Sequence, residues 1–280
     1  MIEYDKIYIR NIGLFTEAEQ RRLKNAVVAV AGVGGVGSYQ AVALARQGIG
    51  ELRIMDPGTF DEPDLNRQYG AMISTLGENK AAATAKILKD INPHMKVKTY
   101  TRAAETVGEI EEFIKGADIV IDAIDYAGFN HKQLLHERAR AGGQYVVSSP
   151  IPGFGASLMI FSPSGMTMED YYGAPADPAL YKNFKLSMEK IMPADKITQF
   201  YRDFEAGRIG YLSTNGASAQ LSGAITGLEI ALIITGKRKK EDLVVVPDVI
   251  YVDLFSRNYS VFNPFRSSCA TPRQLLLTAE

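Results

Sequence analysis

Hydrophobic positions along this chain fall into two rhythms. Between residues 27 and 149, short apolar runs bounded by turn residues alternate with longer stretches at helical spacing. The runs at 27–31, 52–55, 118–123 and 144–149 read as strands buried on both faces, the signature of a parallel sheet. Residues 96–100 supply a further strand. Helices are predicted after Gly37 through Arg46, from Glu78-Asn79-Lys80 to about Asp90, over 107–115 and over 128–142. Ala41, Leu44 and Ala45 give the first of these a compact apolar face, and Ala82, Ala85, Ile87 and Leu88 give the second its buried side. Alternating strands and helices of this kind predict a doubly wound, Rossmann-like α/β fold with a mainly parallel sheet and helices on both faces.

Past residue 150 the rhythm changes. Pro150-Ile151-Pro152-Gly153-Phe154-Gly155 reads as a rigid turn with glycine hinges, followed by a strand at 156–161. Residues 163–211 are the least regular part, well placed to cover or edge a site, with helical pieces expected at 178–192 and 194–206; Tyr171-Tyr172-Gly173 with Met166 and Met168 reads as a satellite hydrophobic cluster, contact with substrate being the alternative. Asn215-Gly216-Ala217 opens a long helix of small residues ending at Gly236, and 249–255 with 259–262 reads as a β-hairpin, so the sheet should be extended by antiparallel C-terminal strands. No second-domain boundary emerges. The chain divides into an arm and charged helix (1–26), a nucleotide-binding half (27–149), a substrate-side half (150–262) and a tail (263–280).

The chemistry concentrates at the C-terminal ends of the first strands. Gly32-Val33-Gly34-Gly35-Val36-Gly37 joins strand to helix, and the next strand ends on Asp56. Glycines there let the backbone approach phosphate, the helix N-terminus offers free N–H groups, and Asp56 can accept ribose hydroxyls. The alternative is that the glycines only allow helix and sheet to pack closely. The continuation through Asn66-Arg67-Gln68, with Lys80 a helix further on, favours a triphosphate over a dinucleotide, because the extra charge calls for cationic side chains and a metal. Asp122 and Asp125, at another strand end on the same edge, suggest a magnesium site, with Asp125 as a helix cap the alternative.

Composition narrows the class. A length of 280 residues with 46% hydrophobic and 22% charged positions can bury a large α/β core, and a net charge of -1 provides no global field for nucleic acid. One cysteine, Cys269, excludes an intrachain disulfide and a cysteine-rich zinc site, so no zinc is expected. The three histidines lack ligand spacing, and His131 and His136 are expected on a solvated helix. The charged N-terminus has no apolar core of a signal peptide, and the apolar stretch near 227–234 is interrupted by Glu229. A cytoplasmic enzyme without a membrane partner is the expectation.

Taken together, Gly32–Gly37, Asp56, Asn66-Arg67-Gln68, Lys80 and Asp125 resemble the ThiF/MoeB/HesA family of E1-like adenylating enzymes, over residues 8 to 262. The resemblance implies ATP and magnesium as cofactors, and transfer of AMP to a carboxylate on a small molecule, a peptide or the C-terminus of a carrier protein. It assigns the phosphates to Gly32, Gly34, Gly35 and Gly37, the ribose to Asp56, the polyphosphate to Arg67 and Lys80 beside Asn66 and Gln68, and magnesium to Asp125. Tyr8-Ile9-Arg10-Asn11 is similar to the family's arm, which implies a homodimer with Arg10 donated in trans; a short arm before the first strand is expected to make few contacts within its own domain, the alternative being that it packs on the domain or on a partner. The chain departs from the family in lacking CxxC pairs and a cysteine in 211–216, and in carrying Asp64 where asparagine is usual and Tyr126 after Asp125. Two other readings stay open: a nicotinamide-dependent oxidoreductase, and a non-catalytic ATP-binding protein. A tRNA-modifying dehydratase is a sub-possibility that the neutral charge balance disfavours.

Overall fold

The structure, a computed structural model, describes residues 2–266. Cys269, expected to be a poor nucleophile in a loosely structured tail, lies outside the described residues. In chain order the elements are α1 (Tyr4–Ile7), α2 (Glu17–Asn25), β1 (Val27–Ala31), α3 (Gly35–Gln47), β2 (Glu51–Met55), α4 (Lys80–Ile91), β3 (Lys96–Tyr100), α5 (Val107–Ile114) and β4 (Ile119–Asp122). There follow α6 (Phe129–Ala141), β5 (Tyr145–Ser148), β6 (Gly155–Phe161), α7 (Met168–Tyr172), α8 (Gln199–Glu205), α9 (Gly216–Thr235), β7 (Val249–Asp253) and β8 (Asn258–Phe262).

The strands form one sheet in the order β3-β2-β1-β4-β5-β6-β7-β8. Pairings from β3 to β5 are parallel, and those from β5 to β8 are antiparallel. The expected parallel sheet with antiparallel C-terminal strands is therefore observed. The chain order reverses between β1 and β4, and ligands of open α/β sheets bind beyond the carboxyl ends of the strands at such a switch point.

Two apolar layers sandwich the sheet. On one side, Val28, Val30, Leu52, Ile54 and Ile121 meet Ala41, Leu44 and Ala45 of α3 and Leu88 of α4; on the other, Ala29, Val120 and Val146 meet Phe113 of α5 and Phe129 and Leu135 of α6. Helix α9 packs against α3 and β6. The approach is close because α9 presents glycines: a Cβ at Gly223 would lie 2.7 Å from Tyr39 Cβ, and one at Gly227 2.6 Å from Ala43 Cβ. By length and composition α9 could cross a membrane, a longer span than the apolar stretch read in the sequence, but half of it is buried in this packing. Its Glu229 is held by Arg238 at 2.9 and 3.0 Å.

Residues 163–211 differ from the expectation. In place of two helices at 178–192 and 194–206, the chain makes short 3-10 turns at Pro178–Asn183, Met188–Lys190 and Ala194–Lys196 and only one α-helix there, α8. Prolines and side-chain caps interrupt the helical hydrogen bonds: Asp177 caps the first turn, and Glu205 accepts from the Met188 N–H at 2.6 Å. Tyr171, Tyr172 and Met168, read as a satellite cluster, belong instead to the main core beside Phe161 and Phe129.

The N-terminal arm, expected to make few contacts with its own domain, is docked onto it. Tyr4 and Tyr8 are buried, and their hydroxyls donate to the carbonyls of Gly48 (2.7 Å) and Ala45 (2.8 Å), closing the C-terminal end of α3. Burial pushes the Tyr4 phenol up to about 12, so both oxygen and proton stay in the bond across the neutral range.

Candidate active site

Strand β1 delivers the chain to Gly32, whose φ of 91° is the left-handed turn that glycine allows without strain. A Cβ there would lie 2.4 Å from the Ala123 carbonyl, and one at Gly37 would lie 2.0 Å from the Gly32 carbonyl. These two glycines let β1, β4 and α3 crowd together at the switch point, so the packing role weighed in the sequence is real. Gly34 and Gly35 do something further. Gly34 caps α3 with no side-chain bond to its first turn, and Gly34, Gly35 and Val36 line a cavity of about 1050 Å³. The first-turn N–H groups of α3 thus face open space, an anion cradle in geometry and charge.

Beyond β2, Asp56 braces this turn. One carboxylate oxygen accepts from the Val33 N–H at 2.9 Å and the other from the Gly58 N–H at 2.8 Å. Each oxygen keeps a further lone pair for a hydroxyl, so the ribose role fits the placement.

The segment from Glu62 to Asn66 is a 3-10 turn that swings Arg67 over Gly35, with the Arg67 Cγ 3.5 Å from where a Cβ would stand. Lys80, at the start of α4, comes in from the other side. Between them sits Asp64, buried, 3.0 Å from Lys80 Nζ and 3.6 Å from Arg67 Nη2, and also accepting from the Gln68 side chain. Burial works against the charged form of Asp64, but the hydrogen bond and charge of Lys80 outweigh it and hold the carboxyl below the usual carboxylate range. Asn66 is placed differently from its neighbours: its side chain donates to the Thr214 carbonyl at 3.1 Å and accepts from Arg67 at 3.0 Å, steering the guanidinium from the rim.

At the end of β4 the two aspartates part company. Asp122 is buried and saturated: Lys132 Nζ lies 2.8 Å from each of its oxygens, His136 Nε2 lies 2.9 Å from Oδ2, and Oδ1 also accepts from the Ile124 N–H at 3.1 Å. Burial opposes its ionisation, yet the adjacent Lys132 and His136 hold its carboxyl far below the usual range. It therefore has no lone pair to spare for magnesium, which corrects the expectation of a paired-carboxylate site. His136 is likewise corrected, from a solvated helix to a buried partner. Lys132 Nζ also donates to the Ile124 carbonyl at 2.8 Å, so the triad clamps the loop that presents Asp125. Lys132 and His136 are four apart on α6, a spacing that places both on one helix face and was readable in the sequence. Without the topology, nothing there pointed to Asp122.

Asp125 is exposed to the cavity. It caps the following turn through Oδ1, which accepts from the Ala127 N–H at 3.1 Å, so capping and an outward-facing oxygen coexist. Among the described residues no group of three or more His, Cys, Asp or Glu side chains could hold a metal by itself. One carboxylate facing a phosphate cradle still fits magnesium, which is commonly held by one or two carboxylates with substrate phosphates and water.

The cavity thus gathers Gly32, Gly34, Gly35, Asp56, Arg67, Gln68, Lys80 and Asp125. Gly37 supports it from behind and Asn66 from the rim. Arg10 is not brought to it. The arginine is exposed, has no side-chain partner among the described residues, and sits at the C-terminal end of α3, about 18 Å of helix from the glycine turn. The far wall, from Phe184 through Leu186, Met188, Ile191 and Phe204 to Leu212, is largely apolar; the sequence places this region at the edge of the site but singles out none of these residues.

A profile of the ThiF family matches residues 8–271. The tRNA threonylcarbamoyladenosine dehydratase of Bacillus subtilis is 43% identical over 104 residues, 37% of this chain and 41% of the relative. A probable adenylyltransferase/sulfurtransferase MoeZ of Mycobacterium tuberculosis is 30% identical over 166 residues, 58% of this chain and 42% of the relative. The chain thus spans about two fifths of the length of these curated relatives. Among solved structures, E. coli MccB with ATP superposes with a TM-score of 0.66 at 18% identity, over 91% of this chain and 68% of that one.

Proposed function

The chain belongs to the ThiF family, and from that premise we propose that it is an ATP-dependent adenylyltransferase that activates a carboxylate as an acyl-adenylate. The observation that carries this reading is the convergence of Arg67 and Lys80 on the open N-terminus of α3, with Asp125 across the same cavity. A dinucleotide's bridging pyrophosphate needs no such pair of cations, whereas a triphosphate does. The cavity, at the upper end of the roughly 300–1000 Å³ typical of small-molecule sites, has room for a second reactant against the apolar wall.

In this reaction one oxygen of the substrate carboxylate attacks the α-phosphorus. The bond from that phosphorus to the oxygen bridging it to the β-phosphate breaks, and pyrophosphate leaves with the electron pair. Arg67 and Lys80 neutralise charge on the leaving group, while the glycine turn and Asp56 hold the nucleotide in line. Magnesium, when bound, would lower the charge of the phosphates, and Asp125 would hold it. No protein nucleophile is required.

The similarity to a tRNA threonylcarbamoyladenosine dehydratase supports a second reading, in which the carboxylate sits on a tRNA nucleoside. The lining sets Asp56, Asp64, Asp122, Asp125 and Glu205 against Arg67, Lys80, Lys132 and Lys185, which is no basic funnel for RNA. Pyrophosphate exchange into ATP, screened over small carboxylates, peptide and carrier-protein C-termini and carboxylate-modified tRNA, tests both readings. Exchange with one class names the substrate. Thermal stabilisation by NAD equal to that by ATP with magnesium would overturn the adenylation reading.

A further inference from the structure

Asp64 places a negative charge inside the polyphosphate end of the cavity, where it is the common partner of both cations and of Gln68. Two consequences follow. First, the local charge of Arg67 and Lys80 is cut from two to one in the empty site. Second, an ionised carboxylate accepts but cannot donate, so Gln68 must turn its NH₂ toward Asp64. Gln68 Oε1 is then left buried without a partner, facing Gly34, where it stands 3.6 Å from the position of a Cβ. A buried acceptor beside an anion cradle repels bare phosphate oxygens, and a hard cation or the water on it satisfies such an acceptor.

We propose that Asp64 makes triphosphate loading conditional on the divalent cation, by halving the positive charge at the cradle and fixing Gln68 with its oxygen toward it. The inference rests on the adenylation reading above. Bare ATP, with about four negative charges, meets a site too weakly positive to hold it; the magnesium complex, with about two, is admitted. With asparagine at this position Gln68 could turn either way and both cations would be free for phosphate. The carboxylate thus selects the form of the nucleotide that can react.

The test is ATP affinity by calorimetry, in EDTA and in excess magnesium, for the parent and Asp64→Asn. The parent is expected to bind ATP at least tenfold more weakly in EDTA. In the variant that ratio should shrink by about tenfold, since the added positive charge acts on about twice the negative charge in bare ATP. Parent protein that binds ATP equally in both buffers overturns the proposal with no variant needed. So does an unchanged ratio in the variant, or equal weakening in both buffers, which would mean that Asp64 only positions Lys80. Those outcomes leave the nucleotide reading standing; failure of the parent to bind ATP in either buffer removes both. If Asp64→Asn melts well below the parent, Asp64→Ser makes the same charge change with a smaller side chain.

Discussion

Gly34 and Ile209 line the same cavity, yet the two ends they belong to are built by different means. At the nucleotide end, position comes from backbone geometry: a left-handed Gly32, two approaches too close for a Cβ, and strands in parallel register. At the far end, regular structure is sparse and side chains tie down the backbone. Tyr171 Oη donates to the Lys190 carbonyl at 2.7 Å, Ser157 Oγ donates to the Ile191 carbonyl, Tyr201 accepts from the Gly153 N–H, and Asn215 donates to the Gly153 carbonyl at 3.2 Å. Buried Met188, Ile191 and Met192 anchor this wall in the main core. The difference separates a cradle that tolerates little change from a wall that can vary in shape over the same sheet, a division that suits the proposed pairing of a nucleotide with a carboxylate.

The largest expected effect breaks the nucleotide end. Asp122→Ala would leave Lys132 buried beside an uncompensated cavity and free the loop that presents Asp125, so it should destabilise the fold by about 3–5 kcal/mol. Denaturant unfolding measures this. The same pair predicts acid sensitivity in the parent. The folded carboxyl is held low, so its contribution is present above the unfolded carboxylate range near pH 4 and fades as pH falls below it. A variant that unfolds like the parent at neutral pH would mean that water replaces the triad at little cost.

How much of this was legible from the chain follows the same division. The glycine turn, Arg67, Lys80 and Asp125 were readable because a βαβ unit fixes where a strand end points, and local sequence fixes the unit. Asp122 with His136 was misread, since the pairing of a strand residue with a helix fourteen positions on depends on how α6 settles over β4. The irregularity of 163–211 was legible, but the two helical pieces placed in it were not right: its apolar residues follow no sustained period, and caps and prolines decide the turns. The arm was expected to touch its own domain little, and that reading fails: Tyr4 and Tyr8 anchor it, while Arg10 makes no side-chain bond among the described residues.

That anchoring sharpens the proposal of a homodimer. A rigid arm at the far end of α3 cannot carry Arg10 to its own cradle, so a catalytic role requires a second copy of the chain. Arg10→Ala should then lower turnover by about 10- to 100-fold, less than the loss of an arginine finger elsewhere because Arg67 and Lys80 remain. Mixing Arg10→Ala with Asp125→Asn protein and allowing subunits to exchange should restore one working site per mixed dimer. Full activity of Arg10→Ala alone, or no recovery on mixing, would confine Arg10 to the surface.

The smallest effect tests whether the two ends are separable. Ile209 is half-buried in the far wall and belongs to neither the cradle nor the main core cluster. Ile209→Ser removes apolar contact worth about 1 kcal/mol to a ligand lying against it, without a cavity inside the fold. The carboxylate KM should therefore rise by about three- to tenfold, while the ATP KM and the melting temperature stay where they are. That split is what two independently built ends require. Movement of the ATP KM instead would place the nucleotide against the apolar wall. It would mean that the nucleotide itself takes up both ends of the cavity, with the carboxylate entering elsewhere.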